Sequence, residues 1–499
     1  MKNFPHFKRN FHIICLLCII LLGAVLRLYR IRDYLGFLGD EGRDALVVKR
    51  MLVDHKFTLL GPITSVGLMH LGPMYYYFMM PFLALTLLDP VGPAIMVALF
   101  SLATIFLIWK ICTDYFDPKS GLIASLLYAC SPLVIIFSHS SWNPNILPFW
   151  SLLIIYSLLK LNVTKENVGW LFVTGLAFGI AIQLHYVALV FLPIILGVIL
   201  LNRKKIGIKP LNLLLIGFMI SFSPFIFFEL RNKFVNTLSI IKFVSRTGNA
   251  KTFEFFNIIE RFWDLSVRLF WRLVVIENAE IAIIFMFLVF GLCSYIYWKS
   301  NKTAEKRIIL HIFIIWFVLG IGLLSLYTGN IFDYYLMFIF PLPFLLTGIS
   351  LSYLSKKWFG KLVTVFILSC LIYFELKNTP ISKPPNRLAT QTQEIAKFVL
   401  VQANNLPYNF ALMANMNSDH AYRYFLEIEG HPPVILKNPI EDPERVSVTE
   451  QLLVVCEEKV CQPLGHPLWE IAGFGRAEIV QESTVGLFKV FKLVHYKVK

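Results

Sequence analysis

The chain has 499 residues, of which 57% are hydrophobic and 15% are charged, and its mean hydropathy is +0.67. A typical soluble domain carries about 25% charged residues, so this composition excludes a water-soluble globule. The 15% aromatic content excludes a disordered chain. A net charge of +15 would suggest nucleic-acid binding in a soluble protein, but in a membrane protein Lys and Arg concentrate in cytoplasmic loops. We therefore predict a polytopic membrane protein that does not bind nucleic acid.

Apolar runs long enough to cross a bilayer follow one another along most of the chain. The first, from Phe11 to Tyr29, is longer than the apolar core of a signal peptide and lacks a cleavage site of small residues, so we expect an uncleaved helix. The stretch from Pro73 to Leu88 is ambiguous, because 16 residues with an interior proline suit an interfacial segment as well as a span. Further runs lie near 91–109, 121–138, 145–160, 169–184, 187–201, 211–229, 281–298, 308–327, 333–352 and 362–376.

The distribution of Lys and Arg decides whether 73–88 crosses. If it does not, there are eleven spans, and the short outer turns at 139–144, 185–186 and 328–332 contain neither Lys nor Arg. The short cytoplasmic loops then contain Lys110, Lys119, Lys160, Lys165, Arg203, Lys204, Lys205, Lys209, Lys299, Lys302, Lys306, Arg307, Lys356, Lys357 and Lys361. We therefore predict an all-α protein of about eleven transmembrane helices in the plasma membrane, with a cytoplasmic N-terminus.

Three soluble pieces are predicted on the outer face: the first loop (30–90), a long loop (230–280) and the tail (380–499). The tail has the composition of a soluble domain, with strand-like runs and one helical stretch separated by Pro, Gly and Asn turns. We predict a transmembrane domain over 1–379 and a small extracytoplasmic α/β domain over 380–499.

The strand-like runs of the tail are Leu452–Cys456 and Leu487–Leu493, and its helical stretch lies near Gln391–Gln402. Cys456 and Cys461 could close a local disulfide in an oxidising compartment. A zinc site there is disfavoured, because a second pair of ligands is missing.

Adjacent carboxylates, Asp40 and Glu41, follow the first span in the sequence Gly-Asp-Glu-Gly-Arg-Asp-Ala-Leu (39–46). A bare acidic pair is typical of a helix N-terminus, where it stabilises the helix dipole. Two Gly-Pro pairs, at 61–62 and 72–73, return this loop to the membrane surface. That arrangement favours a chemical role for the pair over simple helix capping.

The motif at 39–46, together with His-Leu-Gly-Pro-Met-Tyr-Tyr-Tyr at 70–77, resembles the polyprenyl-phosphate-sugar-dependent glycosyltransferases of the GT-C fold. The nearest branches are the protein O-mannosyltransferases and the aminoarabinose transferases that modify lipid A. Ser-His-Ser-Ser-Trp-Asn-Pro-Asn at 138–145 is similar to their second outer loop, and 175–186 to a paired helix with its short turn. The chain departs from the family pattern at Gly72-Pro73, where many relatives have Lys-Pro, and at Asn143, where many have an acidic residue.

The resemblance implies transfer of a sugar from a polyprenyl phosphate to an acceptor hydroxyl on the outer face, with inversion. Asp40 is then the general base, and Glu41 supports it by orienting the acceptor or neighbouring cations. The acceptor is a lipid, a glycan or a protein. The leaving phosphate group requires positive charge or hydrogen-bond donors nearby. The candidate substrate-binding residues are Arg43, His70, Tyr75, Asn143, His185 and Arg246.

Alternatives remain open at this stage. His185 is also typical of a hydrogen-bonded residue between helices, and Tyr75 of the aromatic belt at a membrane interface. No metal-ligand spacing is recognisable, so we predict neither a metal nor a cofactor. A transporter or flippase of lipid-linked sugars is the rival class, although it would place ionisable groups near mid-membrane rather than in a surface loop. A GT-C-like glycan polymerase or ligase is a third possibility.

Overall fold

The computed structural model describes residues 5–64, 69–163, 168–201, 207, 210–247, 255–300 and 304–496. The helices that form the transmembrane part and its loops are Pro5–Leu28, Ile31–Tyr34, Gly39–Val53, Met74–Leu85, Val91–Tyr115, Pro118–Cys130, Pro132–Ser138, Leu147–Val163, Trp170–Leu184, Phe191–Leu201, Leu211–Arg231, Val235–Thr247, Phe255–Phe270, Ala279–Lys299, Ala304–Ser325, Pro341–Leu354 and Trp358–Lys377. Short 3-10 or π turns extend several of them, at Asn143–Ile146, Tyr186–Val190, Trp271–Val275 and Asp333–Ile339.

Within the described ranges, seven helices are long and apolar enough to cross a membrane. The number is nine if each of two bent pairs counts as one span, and both bends have a proline at the break. These pairs are Pro118–Cys130 with Pro132–Ser138, bent by 61°, and Asp333–Ile339 with Pro341–Leu354, bent by 54°. The other two predicted spans are the shorter helices Trp170–Leu184 and Tyr186–Leu200. A polytopic helical membrane protein is thus confirmed, whereas the count of eleven stays a prediction.

Helix Met74–Leu85 begins and ends at the same face of the bundle. Near its start, the Tyr76 hydroxyl donates to Asp44 at 3.2 Å. Just beyond its end, the Leu88 carbonyl accepts from Tyr424, and Asp89 pairs with Arg32. All of these partners belong to the first loop or the tail, which supports the prediction that this helix does not cross the membrane. We call this side of the bundle the Asp40 face.

Several of the lysines predicted to be cytoplasmic lie at the opposite end of the bundle, which we call the basic face. Lys110 and Lys160 both bind Asp114, at 2.7 and 3.0 Å, and Lys119 donates to Ser355 at 2.7 Å. Lys165, Arg203 to Lys205, Lys209 and Lys302 lie outside the described residues. The structure therefore groups the loops as predicted, while their orientation in the membrane stays a prediction.

The tail folds as the α/β domain predicted from its composition. Its helices are Leu388–Ala403, His420–Ile428 and Trp469–Ala472, after a 3-10 turn at Pro380–Ser382. Its strands are β1 (Asn409–Met413), β2 (Gln451–Cys456), β3 (Ala477–Val485) and β4 (Phe488–His495), in the order β1-β2-β4-β3. β1 and β2 are parallel and the other pairs are antiparallel. Cys456 and Cys461 form a disulfide.

The tail is packed against the first loop. Phe37 makes edge contacts with Tyr424 and Phe425, at centroid distances of 5.6 and 5.4 Å, and all three rings are buried in a core shared with the transmembrane part. Polar contacts surround this core, since Glu427 binds both Lys49 and Arg50 at 3.2 and 2.8 Å. The tail thus fixes the helix Gly39–Val53, which we call the Asp40 helix.

The orientation of the protein in the membrane can be tested by measuring which introduced cysteines react with a reagent outside the cell. We expect a cysteine replacing Ile440, whose side chain is 93% exposed on the tail, to react with a membrane-impermeant maleimide in intact cells. A cysteine replacing Lys357 on the basic face should react only after permeabilisation, because the positive-inside rule places that face in the cytoplasm. Labelling is compared in a background in which the six free cysteines have been replaced. The reverse pattern would invert the whole topology.

Tail docking depends on the absence of a side chain at Gly42. A Cβ atom there would lie 2.4 Å from the Ala421 backbone, so Gly42→Ala must displace the tail helix at a cost of about 2 kcal/mol. We expect a lower unfolding temperature and faster proteolysis near residue 380. Gly291→Ala is the matched control, because a Cβ there meets nothing within 4 Å. Equal behaviour of the two variants would contradict this docking.

Candidate active site

A cavity of about 380 Å³ opens at the Asp40 face, between the first loop, the ends of several spans at that face and the 327–335 segment. Apolar groups make up most of its wall and polar groups the rest, which is typical of a small-molecule site. The residues lining it are Asp40, Arg43, Pro62, Ile63, Thr64, Met69, Leu71, Trp142, Asn143, Pro144, His185, Tyr186, Val187, Leu324, Tyr327, Tyr334 and Tyr335.

Asp40 and Arg43 occupy one turn of the Asp40 helix and both line the cavity. Arg43 binds an Asp40 carboxylate oxygen at 2.8 Å and an Asp44 carboxylate oxygen at 2.9 Å. The Asp40 side chain is 52% exposed, whereas Asp44 is fully buried. Because these residues are spaced i, i+3 and i+4, the helix aligns them on one face. The mouth of the cavity therefore presents a carboxylate and a guanidinium side by side.

Asp44 was not singled out by the sequence analysis, although its spacing from Asp40 was a usable signal. Tyr76 donates to the same Asp44 oxygen that binds Arg43, and the other oxygen, Oδ2, has no hydrogen-bond partner among the described residues. Burial raises the pKa of Asp44 to about 7, although the charge of Arg43 opposes this. Burial would also lower the pKa of Arg43, but the charges of Asp44 and Asp40 raise it. Asp44 thus binds Arg43 in the protein interior, whereas Asp40 binds it at the cavity.

Glu41 does not line the cavity. One of its carboxylate oxygens accepts from the Leu38 backbone N–H at 3.1 Å, and the other accepts from the Ser140 hydroxyl at 2.5 Å. The first contact caps the start of the Asp40 helix, and the second ties that helix to the turn after Ser138. Burial raises the pKa of Glu41. These contacts favour the capping alternative for Glu41, while Asp40 alone of the acidic pair faces the cavity.

Aromatic rings form part of the cavity wall. Tyr334 lies 4.4 Å from Trp142 and 4.6 Å from Tyr335, measured between ring centroids. The segment carrying the tyrosines is held by Arg268, which binds Asp333 at 2.7 Å and donates to the Ile331 carbonyl. Trp142 lies far from Tyr334 and Tyr335 in the chain, so the sequence alone could not predict that these rings meet.

Two of the predicted binding residues, His185 and Asn143, also line the cavity. His185 Nδ1 accepts from the Val187 N–H at 3.2 Å, so the neutral ring carries its proton on Nε2. Burial lowers the pKa of His185 to about 4, which keeps it neutral at physiological pH. The Asn143 amide donates to the Leu184 carbonyl at 2.6 Å, which leaves its oxygen as the acceptor of that side chain.

The remaining predicted binding residues lie elsewhere. The His70 ring contacts the Gly61 carbonyl at 3.3 Å, and its backbone N–H donates to Asn236 at 2.6 Å. Tyr75 is buried and shares a 2.8 Å hydrogen bond with Ser141. Neither is among the cavity-lining residues, so both act as supports of the loop. The side chain of Arg246 lies outside the described part of the structure.

The tail reaches the edge of the site beside Asp40. Asn417 accepts from the Gly39 N–H at 2.9 Å, and the Ser418 hydroxyl lies 2.9 Å from His420 Nδ1. Burial lowers the pKa of His420, and the charges of Asp40 and Arg43 act on it as well. Among the described residues, three or more His, Cys, Asp or Glu side chains nowhere come together as a metal site would require. The prediction that no metal is used stays a prediction.

The raised pKa of Asp44 gives a testable pH dependence. The folded protein holds the Asp44 proton up to about pH 7, whereas the unfolded chain releases it near pH 3.8. Stability therefore falls as pH rises through this window. Asp44→Asn removes that contribution, so we expect its unfolding temperature to fall less than that of the wild type between pH 5 and pH 8. Asp54→Asn, at the exposed end of the same helix, should show the same change of unfolding temperature with pH as the wild type. If Asp44→Asn also shows that change, Asp44 is not protonated in the folded protein.

Comparisons with known proteins agree on the fold. Residues 70–228 match the family model of the dolichyl-phosphate-mannose-protein mannosyltransferases, and no curated protein matches the chain by sequence. ArnT from Cupriavidus metallidurans, solved bound to undecaprenyl phosphate, is similar over 97% of this chain and 98% of its own, with a TM-score of 0.64 and 13% identity. The oligosaccharyltransferase AglB from Archaeoglobus fulgidus, solved with an inhibitory peptide and a dolichol-phosphate, has a TM-score of 0.53 and 12% identity. Its match covers 90% of this chain and 70% of AglB. The chain therefore has the GT-C fold, with a small α/β domain after its last transmembrane helix.

Proposed function

We propose that the protein is a membrane glycosyltransferase that moves a sugar from a polyprenyl phosphate to an acceptor hydroxyl. The observation that carries this proposal is the pairing of Asp40 with Arg43 at 2.8 Å on the wall of one cavity. A carboxylate is a suitable general base, and a guanidinium is a suitable ligand for phosphate. The family match and the GT-C fold support the same chemistry.

The lipid carrier is inferred from relatives. ArnT was solved with undecaprenyl phosphate and AglB with a dolichol-phosphate. We expect this chain to bind a donor of the same class, with the phosphate at Arg43 and the prenyl chain in the surrounding bilayer. A phosphate that binds Arg43 competes with Asp40 for the guanidinium. Donor binding would then release the Asp40 carboxylate to accept a proton.

The proposed transfer is a single displacement. The acceptor oxygen attacks the anomeric carbon, its proton passes to Asp40, and the bond between that carbon and the phosphate oxygen breaks. The polyprenyl phosphate departs with the electron pair, and Arg43 stabilises its charge. Attack on the side opposite the leaving group inverts the anomeric centre.

The aromatic wall is suited to hold the sugar. The rings of Trp142, Tyr334 and Tyr335 offer flat apolar surface to the C–H face of a pyranose, while His185 Nε2 is placed to donate to a hydroxyl. In such a site, a small number of polar groups in a mostly apolar wall fixes the orientation of the ligand. The acceptor remains a lipid, a glycan or a protein hydroxyl.

We further propose that the Asp40 face is extracytoplasmic and that the protein resides in the plasma membrane. The lysines of the basic face support this, because Lys and Arg mark the cytoplasmic side. The tail domain is then extracytoplasmic, where its disulfide is stable. The N-terminus is cytoplasmic in this orientation.

Asp40→Asn should abolish transfer while leaving expression intact, with a loss of about 100- to 10,000-fold in rate. We would incubate the purified variants with a panel of radiolabelled polyprenyl-phosphate sugars and a crude envelope extract, and measure release of the lipid phosphate. Asp54→Asn is the matched control, because this carboxylate ends the same helix and does not line the cavity.

The outcomes separate the hypotheses. Release by the wild type and by Asp54→Asn, but not by Asp40→Asn, supports both the reaction and the base. Release by all three keeps the reaction and rejects Asp40. A donor that binds the wild type without turnover favours a transporter or flippase. An extract fractionated into lipid, glycan and protein then identifies the acceptor.

A further inference from the structure

A second cavity, of about 260 Å³, lies at the basic face, at the opposite end of the bundle from the Asp40 site. It opens between the turn after Val91–Tyr115, the end of Ala279–Lys299, the start of Ala304–Ser325 and the end of Pro341–Leu354. Its lining residues are Phe116, Asp117, Ile296, Lys299, Ser300, Lys306, Ile349, Tyr353 and Lys356.

Three lysines from three different helices or turns converge on this cavity. The Lys299 ammonium lies 3.2 Å from the Tyr353 hydroxyl, and Lys356 lies 4.7 Å from the centre of the same ring. Lys306 approaches the Phe116 ring from the other side, at 5.9 Å. These contacts with aromatic rings keep the three ammonium groups beside the cavity, although Lys299 and Lys356 are also exposed to solvent.

These lysines have no carboxylate partner in the part of the chain that the structure describes. The one acid on the cavity wall, Asp117, accepts from the Ser120 N–H at 2.9 Å and from the Ser352 hydroxyl at 2.7 Å. Other lysines at the same face do have acidic partners, since Lys110 and Lys160 share Asp114. The cavity therefore brings together three lysines and one carboxylate, which is hydrogen-bonded through Oδ1.

Apolar lining residues and exposed aromatic rings beside the cavity are consistent with a lipid as its ligand. Ile296 and Ile349 are buried at its base. Tyr295 and Trp298, on the same helix as Lys299, are exposed on the outside of the bundle, at 53% and 67%. Such rings are typical of the level of lipid head groups. The cavity therefore lies next to side chains that are typical of this level of a membrane.

We propose that this cavity binds the phosphate of an anionic phospholipid in the leaflet opposite the candidate active site. Basic pockets between transmembrane helices on the cytoplasmic side recognise anionic head groups in this way. The positive-inside rule explains why lysines lie at this face. It does not explain why three lysines that have no carboxylate partner among the described residues line one cavity together with two buried isoleucines. The bound lipid would tie together the ends of three spans.

Lipid binding to the full-length protein in detergent tests this site. We would titrate phosphatidylglycerol and, separately, phosphatidylcholine, and count bound lipids by native mass spectrometry. The cavity variant is Lys299→Gln/Lys306→Gln/Lys356→Gln. Its control, Lys110→Gln/Lys357→Gln/Lys361→Gln, removes the same charge from the same face outside the cavity. We expect the cavity variant to weaken phosphatidylglycerol binding about tenfold or more, and the control to change it less than twofold.

Equal losses in the two variants would overturn the site, because they would show only general attraction to a basic surface. Equal binding of phosphatidylcholine would overturn the preference for an anionic head group. Inorganic phosphate is then added at millimolar concentration. Failure to displace the lipid supports a membrane source, and full displacement together with tight binding of phosphate alone would assign the cavity to a soluble phosphate compound. The single variant Lys356→Gln gives the same comparison if the triple variant does not fold.

Discussion

The arrangement of the candidate active site depends on one guanidinium shared by two carboxylates. Arg43 binds the exposed Asp40 on one side and the buried Asp44 on the other. Asp44 is buried and binds Arg43 in either protonation state through Oδ1, and Arg43 in turn binds Asp40, so the positions of the three side chains are linked. The Asp40 helix must lie close to Met74–Leu85 for Tyr76 to complete this group. The position of the first loop, and with it the mouth of the cavity, follows from satisfying these charges.

The Asp40 helix is also held in place by the tail domain. The Asp40 helix carries the charges of the site on one side and contacts His420–Ile428 of the tail on another, at Gly42 and at Lys49 and Arg50. The tail and the bundle therefore share a core. A tail that is fixed against the loop also supplies one edge of the site, through the segment from Asn417 to His420.

Much of this architecture was readable from the sequence, because its signals are local. Runs of apolar residues indicate spans, the Lys and Arg distribution indicates which loops share a face, and alternating short runs in the tail indicate strands. Asp40 was identified from its motif, and the structure places it on the cavity. Glu41 was harder, because a carboxylate that caps a helix and one that serves chemistry look alike until Ser140 is seen to bind it. The aromatic wall escaped prediction for a different reason, since Trp142 and Tyr334 meet only when distant spans pack.

The disulfide of the tail has a consequence for the active site. Cys456 ends β2, and the residue after it, Glu457, accepts hydrogen bonds from Tyr422 and from the Asn417 amide. The oxygen of that same amide accepts from the Gly39 N–H, one residue before Asp40. Two hydrogen bonds thus connect a covalent ring in the soluble domain to the start of the Asp40 helix. The ring that this disulfide closes therefore restrains Glu457 and, through Asn417, also the backbone that carries the Asp40 side chain.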